Sequence, residues 1–332
     1  VSDVPLIELR NVSKAFRVGL SFLGPKKLAK AVDDVSFKLY EKDTLALVGE
    51  SGCGKTTTGK IAAGLLKPTE GEVLYKGKDI WKMSRDEWRE YRRSVQIIHQ
   101  DPYASLNPML TIYKSLSAPL FRHKIVETKE EAVDKVAELL AMVGLTPPED
   151  FIWKYPHQLS GGQRQRVVIA RAMSVNPKVI VADEPVSMID VSMRLQILHL
   201  MKDLQEQFGV AYIFITHDLA TGRYFASDGR TAVMYLGSIV EYGPTNSVIL
   251  DPQHPYTKAL LSAIPEPDPE KTRKKKPMKL RSLDVPSLLN IPSGCKFHPR
   301  CPFFKEGLCD EKKPGLIDIG GGHMVACWLY GE

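Results

Sequence analysis

The sequence predicts an α/β protein built on a largely parallel sheet, followed by a small C-terminal extension of different composition. Three observations carry this reading. Short apolar runs rich in β-branched residues, "TLALVG", "VIVADEP" and "AYIFITHD", are followed by turn or helix signals, as fully buried parallel strands are. The first of them opens directly into a glycine-rich stretch, "GESGCGKT", Gly49 to Thr56. Beyond Pro252 the pattern changes, with prolines at 252, 255, 265, 267, 269 and 277 bracketing one short helix.

The elements follow in order. Residues 6–16 alternate apolar and polar, the period of an opening strand. "AVDDVSFKLYEKDTLALVGE" adds a second alternating strand, a turn at Glu41–Asp43 and then the buried strand. A helix begins in "GESGCGKTTTGKIAAGLL", and "GEVLYKGKDI" reads as a hairpin. From about Tyr103 to Pro156 the spacing turns helical, most clearly in "TKEEAVDKVAELLAMVGL", where apolar residues recur at three and four. After the two later buried strands, "RTAVMYLGSIVEYG" reads as another hairpin. No internal repeat is present. The expected division is a main domain over residues 1–252, with a helical subdomain at about 103–158 and an antiparallel β subdomain, and an extension over 253–332.

Composition narrows the function classes. Hydrophobic residues make up 43% and charged residues 25%, the balance of a soluble globular protein. No apolar run reaches the roughly 18 to 20 residues of a membrane span. The opening "VSDVPLIELRNVSKAF" lacks a basic segment followed by an apolar one, so no secretory signal is read there. The net charge of +6 owes much to "KTRKKKPMKLR", Lys271 to Arg281, which holds seven Lys or Arg and no acid. Such a run is read as a solvated linker, and no nucleic-acid partner is expected. In a reducing compartment, the cysteines favour metal binding over disulfides.

"GESGCGKT" fits G-x-x-x-x-G-K-[ST] in the context that motif requires, after a buried strand and opening a helix. Gly49, Glu50, Ser51, Gly52, Cys53, Gly54, Lys55, Thr56 and Thr57 are therefore the candidate nucleotide-binding residues. Backbone N–H groups would curl around phosphate oxygens, Lys55 would reach the β- and γ-phosphates, and Thr56 would offer its hydroxyl to Mg²⁺. Cys53 reads as a spacer whose backbone matters more than its thiol. A phosphate loop alone leaves kinase, GTPase, motor and transporter ATPase open. "VIVADEP" narrows the choice: it ends a buried strand with Asp183, suited to Mg²⁺ through water, and Glu184, placed to polarise the attacking water.

Together with these, "LSGGQRQRV", Leu159 to Val167, makes the chain resemble the ATP-binding subunits of ABC transporters, over residues from about 6 to 250. The resemblance implies a P-loop ABC-type ATPase domain that binds ATP with Mg²⁺. Ser160, Gly161, Gly162 and Gln163 start a helix and would contact the nucleotide held by the opposite subunit. Gln100, in "IIHQDPYASLNP", matches the family's glutamine loop, which senses Mg²⁺ and the lytic water. His217, in "FITHDL", matches the switch histidine that touches the γ-phosphate. Phe16 resembles the aromatic that stacks on adenine, although "RVGLSFLGPKKLAK" inserts residues after it, and a core role is the alternative. "SMID", Ser187 to Asp190, stands where the family has Ser-Ala-Leu-Asp, and Asp190 would make a cross-dimer contact.

"HPYTKALLSAIPEPDP" and "GCKFHPRCP" resemble the extension of oligopeptide and dipeptide importer ATPases. This implies a second related ATPase subunit, two membrane permease subunits and an extracytoplasmic substrate-binding protein. The chain would sit peripherally on the cytoplasmic face of the membrane. Related systems carry oligosaccharides or nickel complexes. A soluble ABC protein acting on ribosomes or DNA is the alternative class, and the single phosphate loop and the tail argue against it. Cys295, Cys301, Cys309 and Cys327 are separated by 5, 7 and 17 residues, unlike the paired C-x-x-C of zinc ribbons. Four thiolates can hold zinc or a four-iron cluster. The resemblance favours [4Fe–4S], with zinc as the alternative, and either centre would staple a segment with little core of its own. His298 and His323 are alternative ligands, neither expected to bind beside four reduced thiols, and Trp328 stands where the family often has His.

Overall fold

The computed structural model describes residues 4–18, 27–264 and 278–331. Most of the predicted basic linker, and part of the insertion after Phe16, lie outside the described residues. Two sheets organise the chain. The smaller has four antiparallel strands in the order β2 (Lys27–Leu39), β1 (Ile7–Val18), β4 (Glu70–Tyr75) and β5 (Lys78–Asp79). The larger has eight strands: β11 (Ile317–Asp318), β12 (Met324–Val325), β10 (Ser238–Pro244), β9 (Arg230–Tyr235), β3 (Thr44–Val48), β8 (Ala211–Thr216), β7 (Val179–Asp183) and β6 (Val95–Ile98). The run β9-β3-β8-β7-β6 is parallel, and β10, β12 and β11 continue it antiparallel.

The apolar runs make sense as strands covered on both faces. In β8, Ala211, Ile213 and Ile215 pack toward the small sheet and the first helix, α1 (Lys55–Ala62). Tyr212 and Phe214 point the other way, into a core shared with the helices. β7 divides likewise, with Val181 on one face and Ile180 and Ala182 on the other. Helix α2 (Arg85–Ser94), capped by Ser84, leads into β6 at the sheet's edge.

The helical region holds α3 (Pro102–Ser105), α4 (Ile112–Arg122), α5 (Lys129–Met142) and α6 (Glu149–Ile152), and leads into α7 (Gly161–Met173). Helix α5 shows why its sequence reads so clearly. Thr128 and Glu131 form a capping box, and Ala132, Val136, Leu139 and Leu140 make one buried stripe. These helices share their core with α8 (Val191–Phe208).

A third cluster joins α9 (Leu219–Phe225), α10 (Thr245–Leu250) and α11 (Pro255–Ala263) to residues beyond Pro252. Tyr256, Phe297 and Cys301 pack there with Val48, Val233 and Tyr235 of the main sheet. The residues after Pro252 thus add two strands to the main sheet and share its core. Charge reinforces the join: Lys296, nearly buried, pairs with Asp33 of β2 at 2.8 Å and donates to the Leu236 carbonyl. No described helix is long and apolar enough to cross a membrane.

Candidate functional site

Parallel strands deliver their following loops to one edge, where α/β proteins place their ligands. Here β3 runs into Gly49, β7 ends at Asp183 and Glu184 follows, β8 leads to His217, and β6 leads to Gln100. An open cleft of about 460 Å³ at that edge is lined by Ser51, Gly52, Gly54, Lys55, Thr56, Thr57, Gln100, Glu184 and His217. Ala31, Ser187, Met188 and Leu288 complete it, and none of these four was singled out as a nucleotide contact from sequence.

The loop's backbone explains its glycines. Gly54 has φ +106°, and a Cβ there would sit 2.2 Å from the Ala31 carbonyl oxygen. At Gly49 a Cβ would meet the Met234 carbonyl oxygen at 2.3 Å, so the loop lies directly on the neighbouring strand. The Lys55 ammonium donates to the carbonyls of Gly49 at 2.8 Å and Glu50 at 3.0 Å. Thr56 donates its hydroxyl to Asp183 Oδ1 at 3.0 Å, bringing the two hard oxygen donors of the predicted Mg²⁺ site together. Burial, reinforced by the adjacent Glu184 charge, raises the Asp183 carboxyl above its ordinary range, against the opposing hydrogen bond from Thr56.

Glu184 stands at the centre. Gln100 Nε2 donates to one carboxylate oxygen at 3.0 Å, and His217 Nδ1 lies 3.1 Å from the other. Its own φ is +48°, a left-handed conformation rare for a residue with a Cβ, and its N–H is tied to the Ile215 carbonyl at 2.9 Å. Strain of this kind persists where the surroundings over-determine a residue. The result is a carboxylate held on both oxygens beside the phosphate loop, a geometry able to accept a proton from a bound water.

Other predicted residues lie apart from this cleft. Ser160 caps α7: its hydroxyl accepts from the Gln163 N–H at 3.2 Å, and the Gln163 side chain accepts from the Ser160 N–H at 2.9 Å. Gly161 and Gly162 form the first turn, with Gly162 buried beneath Met193 of α8. Asp190 is exposed at the start of α8. None of these five residues lines the cleft of its own chain. Phe16 is 38% exposed on β1 and does not line the cleft either. Gly49, Glu50 and Cys53 are in the loop but not on the cleft wall, and the Glu50 carboxylate instead pairs with Arg300. Cys53 is buried, as a spacer would be.

Cys295, Cys301, Cys309 and Cys327 converge on one small pocket, with a cavity volume of about 10 Å³, which Phe297 and Trp328 also line. Burial pushes the Cys295 thiol up to about 12 and Cys301 up to about 11, and raises Cys327. Among the described residues, no three His, Cys, Asp or Glu side chains are arranged to hold a metal ion. The metal-stapled extension expected from sequence, with [4Fe–4S] or with zinc, is therefore not seen as a preformed site among the described residues. The two histidines weighed as ligands are otherwise engaged: His298 Nδ1 is 3.0 Å from the Cys295 carbonyl, and His323 pairs with buried Glu241 at 2.7 Å.

Comparison with known proteins gives a consistent result. The profile of the family described as ABC transporter matches residues 32–187, and that of the oligopeptide/dipeptide transporter C-terminal region matches residues 240–309. The putative oligopeptide transport ATP-binding protein YkfD of Bacillus subtilis is 45% identical, over 98% of this chain and 96% of the relative. The dipeptide transport ATP-binding protein DppF of Escherichia coli is 43% identical, over 99% and 95%. Among solved structures, the dimeric post-hydrolysis state of the ATP-binding cassette MJ0796 bound to ADP and Pi superposes with a TM-score of 0.62. It is 32% identical and covers 72% of this chain and 98% of that one. These matches extend over nearly the whole chain, and the chain belongs to the ATP-binding proteins of oligopeptide and dipeptide ABC transporters.

Proposed function

We propose that this chain hydrolyses ATP to power the import of oligopeptides or dipeptides across the cytoplasmic membrane. The observation that carries the proposal is Glu184, gripped by Gln100 and His217 next to a phosphate loop that opens onto the same cleft. In this reading Lys55 and the loop amides bind the phosphates, and Phe16 stacks on adenine. Thr56, Asp183 and Gln100 hold Mg²⁺, which when bound neutralises charge on the β- and γ-phosphates. Glu184 accepts the proton of the attacking water, and His217 senses the γ-phosphate. Ser160, Gly161, Gly162, Gln163 and Asp190 serve the nucleotide of an opposing ATPase subunit. Two permease subunits and a substrate-binding protein complete the complex, with this chain peripheral on the cytoplasmic side. Residues 1–252 form the nucleotide-binding domain and 253–332 the extension.

The four cysteines converge on one small pocket, a soft donor set that would suit an iron–sulfur cluster, with zinc as the alternative. Bound there, a [4Fe–4S] cluster would cross-link the extension through Cys295, Cys301, Cys309 and Cys327. About four irons and four acid-labile sulfides per chain after anaerobic purification, lost in Cys301→Ser, are the expected result, and stoichiometric zinc without iron refutes it. The transport proposal is tested by reconstituting the complex in vesicles with its binding protein and a labelled peptide. Uptake should require ATP and vanish with Glu184→Gln, and ATP-independent uptake overturns the reading.

A further inference from the structure

The second residue of the phosphate loop is held by the extension. Arg300 Nη1 and Nη2 donate to the two carboxylate oxygens of Glu50 at 3.0 and 3.2 Å, a bidentate pair across 250 residues of sequence. The Glu50 N–H donates to the Tyr256 hydroxyl at 3.0 Å. Both partners are fixed from behind. Tyr256 is 1% exposed and packs against Tyr235 and Phe297, with ring centroids 4.6 and 5.5 Å away. The Arg300 guanidinium, 93% buried as a side chain, lies 5.7 Å over Phe297 and 5.8 Å over Tyr235. Its backbone closes the tight loop from Cys295 to Cys301, through Arg300 N–H to Phe297 O at 3.0 Å and His298 N–H to Cys295 O at 2.9 Å.

We infer that Arg300 and Tyr256 are positioning residues for nucleotide binding, through which the C-terminal extension sets the shape and charge of the phosphate loop. The inference rests on Gly49–Thr57 being the loop that binds nucleotide. The physical reason lies in charge. A carboxylate one residue into a phosphate-binding loop repels a polyphosphate, and Arg300 cancels that charge while pulling the side chain toward the extension. Tyr256 fixes the Glu50 N–H, so the main chain leading into the loop has one orientation. Because Arg300 immediately precedes Cys301, any rearrangement of the cysteine loop displaces the guanidinium and uncovers Glu50.

The test is Mg·ATP affinity of the full chain, measured by isothermal titration, with thermal melting as a check on folding. Arg300→Met should weaken binding at least tenfold, and Arg300→Lys, which keeps the charge, should stay within threefold of the parent. Adding Glu50→Gln to Arg300→Met should recover most of the loss, since the uncompensated carboxylate is then gone. Affinity within twofold of the parent for Arg300→Met overturns the inference, and so does a double variant as weak as the single. If Arg300→Met does not fold, Tyr256→Phe decides: it keeps the ring but loses the acceptor of the Glu50 N–H, so ATP binding should weaken at least threefold, and parent-like affinity overturns the inference. Lys55→Ala separates the two levels. Parent-like affinity there defeats the phosphate-loop assignment itself, whereas lost affinity there with unaffected Arg300→Met defeats only the brace.

Discussion

Replacing Glu184 with Gln gives the most direct reading of the cleft. Glutamine matches glutamate in size, so the fold should tolerate it. Its amide oxygen can still accept from Gln100 or His217, which now contact the two carboxylate oxygens at 3.0 and 3.1 Å. The left-handed backbone at φ +48° is equally uncomfortable for both residues, so strain of order 1–3 kcal/mol is carried by parent and variant alike. What disappears is the ability to take a proton. Positioned general bases contribute about 10²–10⁴ in rate, so the barrier should rise by about 2.7–5.5 kcal/mol. Phosphate release at saturating Mg·ATP in the assembled complex should fall by that factor. ATP affinity should stay near the parent value, and the ATP-bound pair of subunits should persist on size-exclusion chromatography. A loss below fivefold, in a variant that melts like the parent, would show that Glu184 is not the base.

Three further expectations test the frame around that carboxylate. Gly59→Ala places a Cβ 2.5 Å from Ile215 Cδ1 and 3.0 Å from Val181 Cγ1, so those buried side chains must give way. Overpacking of about 1–3 kcal/mol less about 1 kcal/mol of helix propensity leaves about 0–2 kcal/mol, so the urea midpoint should stay or fall, and a raised midpoint refutes the close approach. Ser160→Ala removes a helix cap worth about 1 kcal/mol, yet Ser160 is not on its own chain's cleft. Complex ATPase should therefore drop while the ATP affinity of the chain alone moves less than threefold, and a larger change in that affinity assigns Ser160 to its own site. At Asp33, burial alone would raise the carboxyl, but hydrogen bonds from Lys296 and Lys30 hold it well below its ordinary 3.8. That stability is fully present above about pH 3.8 and is lost as pH falls below it. Asp33→Asn should cost about 3 kcal/mol at neutral pH by stranding buried Lys296, and should flatten the acid limb of the melting curve. An acid limb as steep as the parent's removes Asp33 from the account.

Much of the cleft was legible because its residues are tied to strand ends. "TLALVG", "VIVADEP" and "AYIFITHD" can only be buried strands, and parallel pairing brings their last residues to one edge. Helix α5 was legible for a similar reason, since its cap and its stripe both lie within a few turns. What escaped was whatever depends on distant pairing or on too few residues. Strands β11 and β12 have two residues each, too short to show a period, and exist because β10 offers an edge. The φ of Glu184 has no sequence signature, as its N–H is captured by Ile215 on another strand. Tyr256 and Arg300 sit in "HPYTK" and "HPRCP", segments conspicuous by resemblance alone, because no spacing rule connects residue 300 to residue 50. The cysteines were legible as a set, but the cavity they enclose depends on side chains such as Phe297 and Trp328.

The arrangement of the cleft bears on the proposal that two such subunits act together. One chain carries the phosphate loop, two oxygen donors and a held carboxylate on a single edge, and that edge is open to solvent. Phosphoryl transfer needs the opposite: a site closed around the phosphates, with donors aimed at the charge that develops there. The same chain has a helix start it does not use for itself, with Ser160 capping α7 and two glycines in its first turn. A helix N-terminus of this kind offers free N–H groups and favours negative charge. Because it does not line its own cleft, the proposed function assigns it to the cleft of an opposing subunit. In that proposal closure is a condition for hydrolysis, and cleavage followed by phosphate release removes the γ-phosphate that joins the two halves. Coupling to transport would follow, because whatever brings two such subunits together completes both sites, and whatever parts them undoes both.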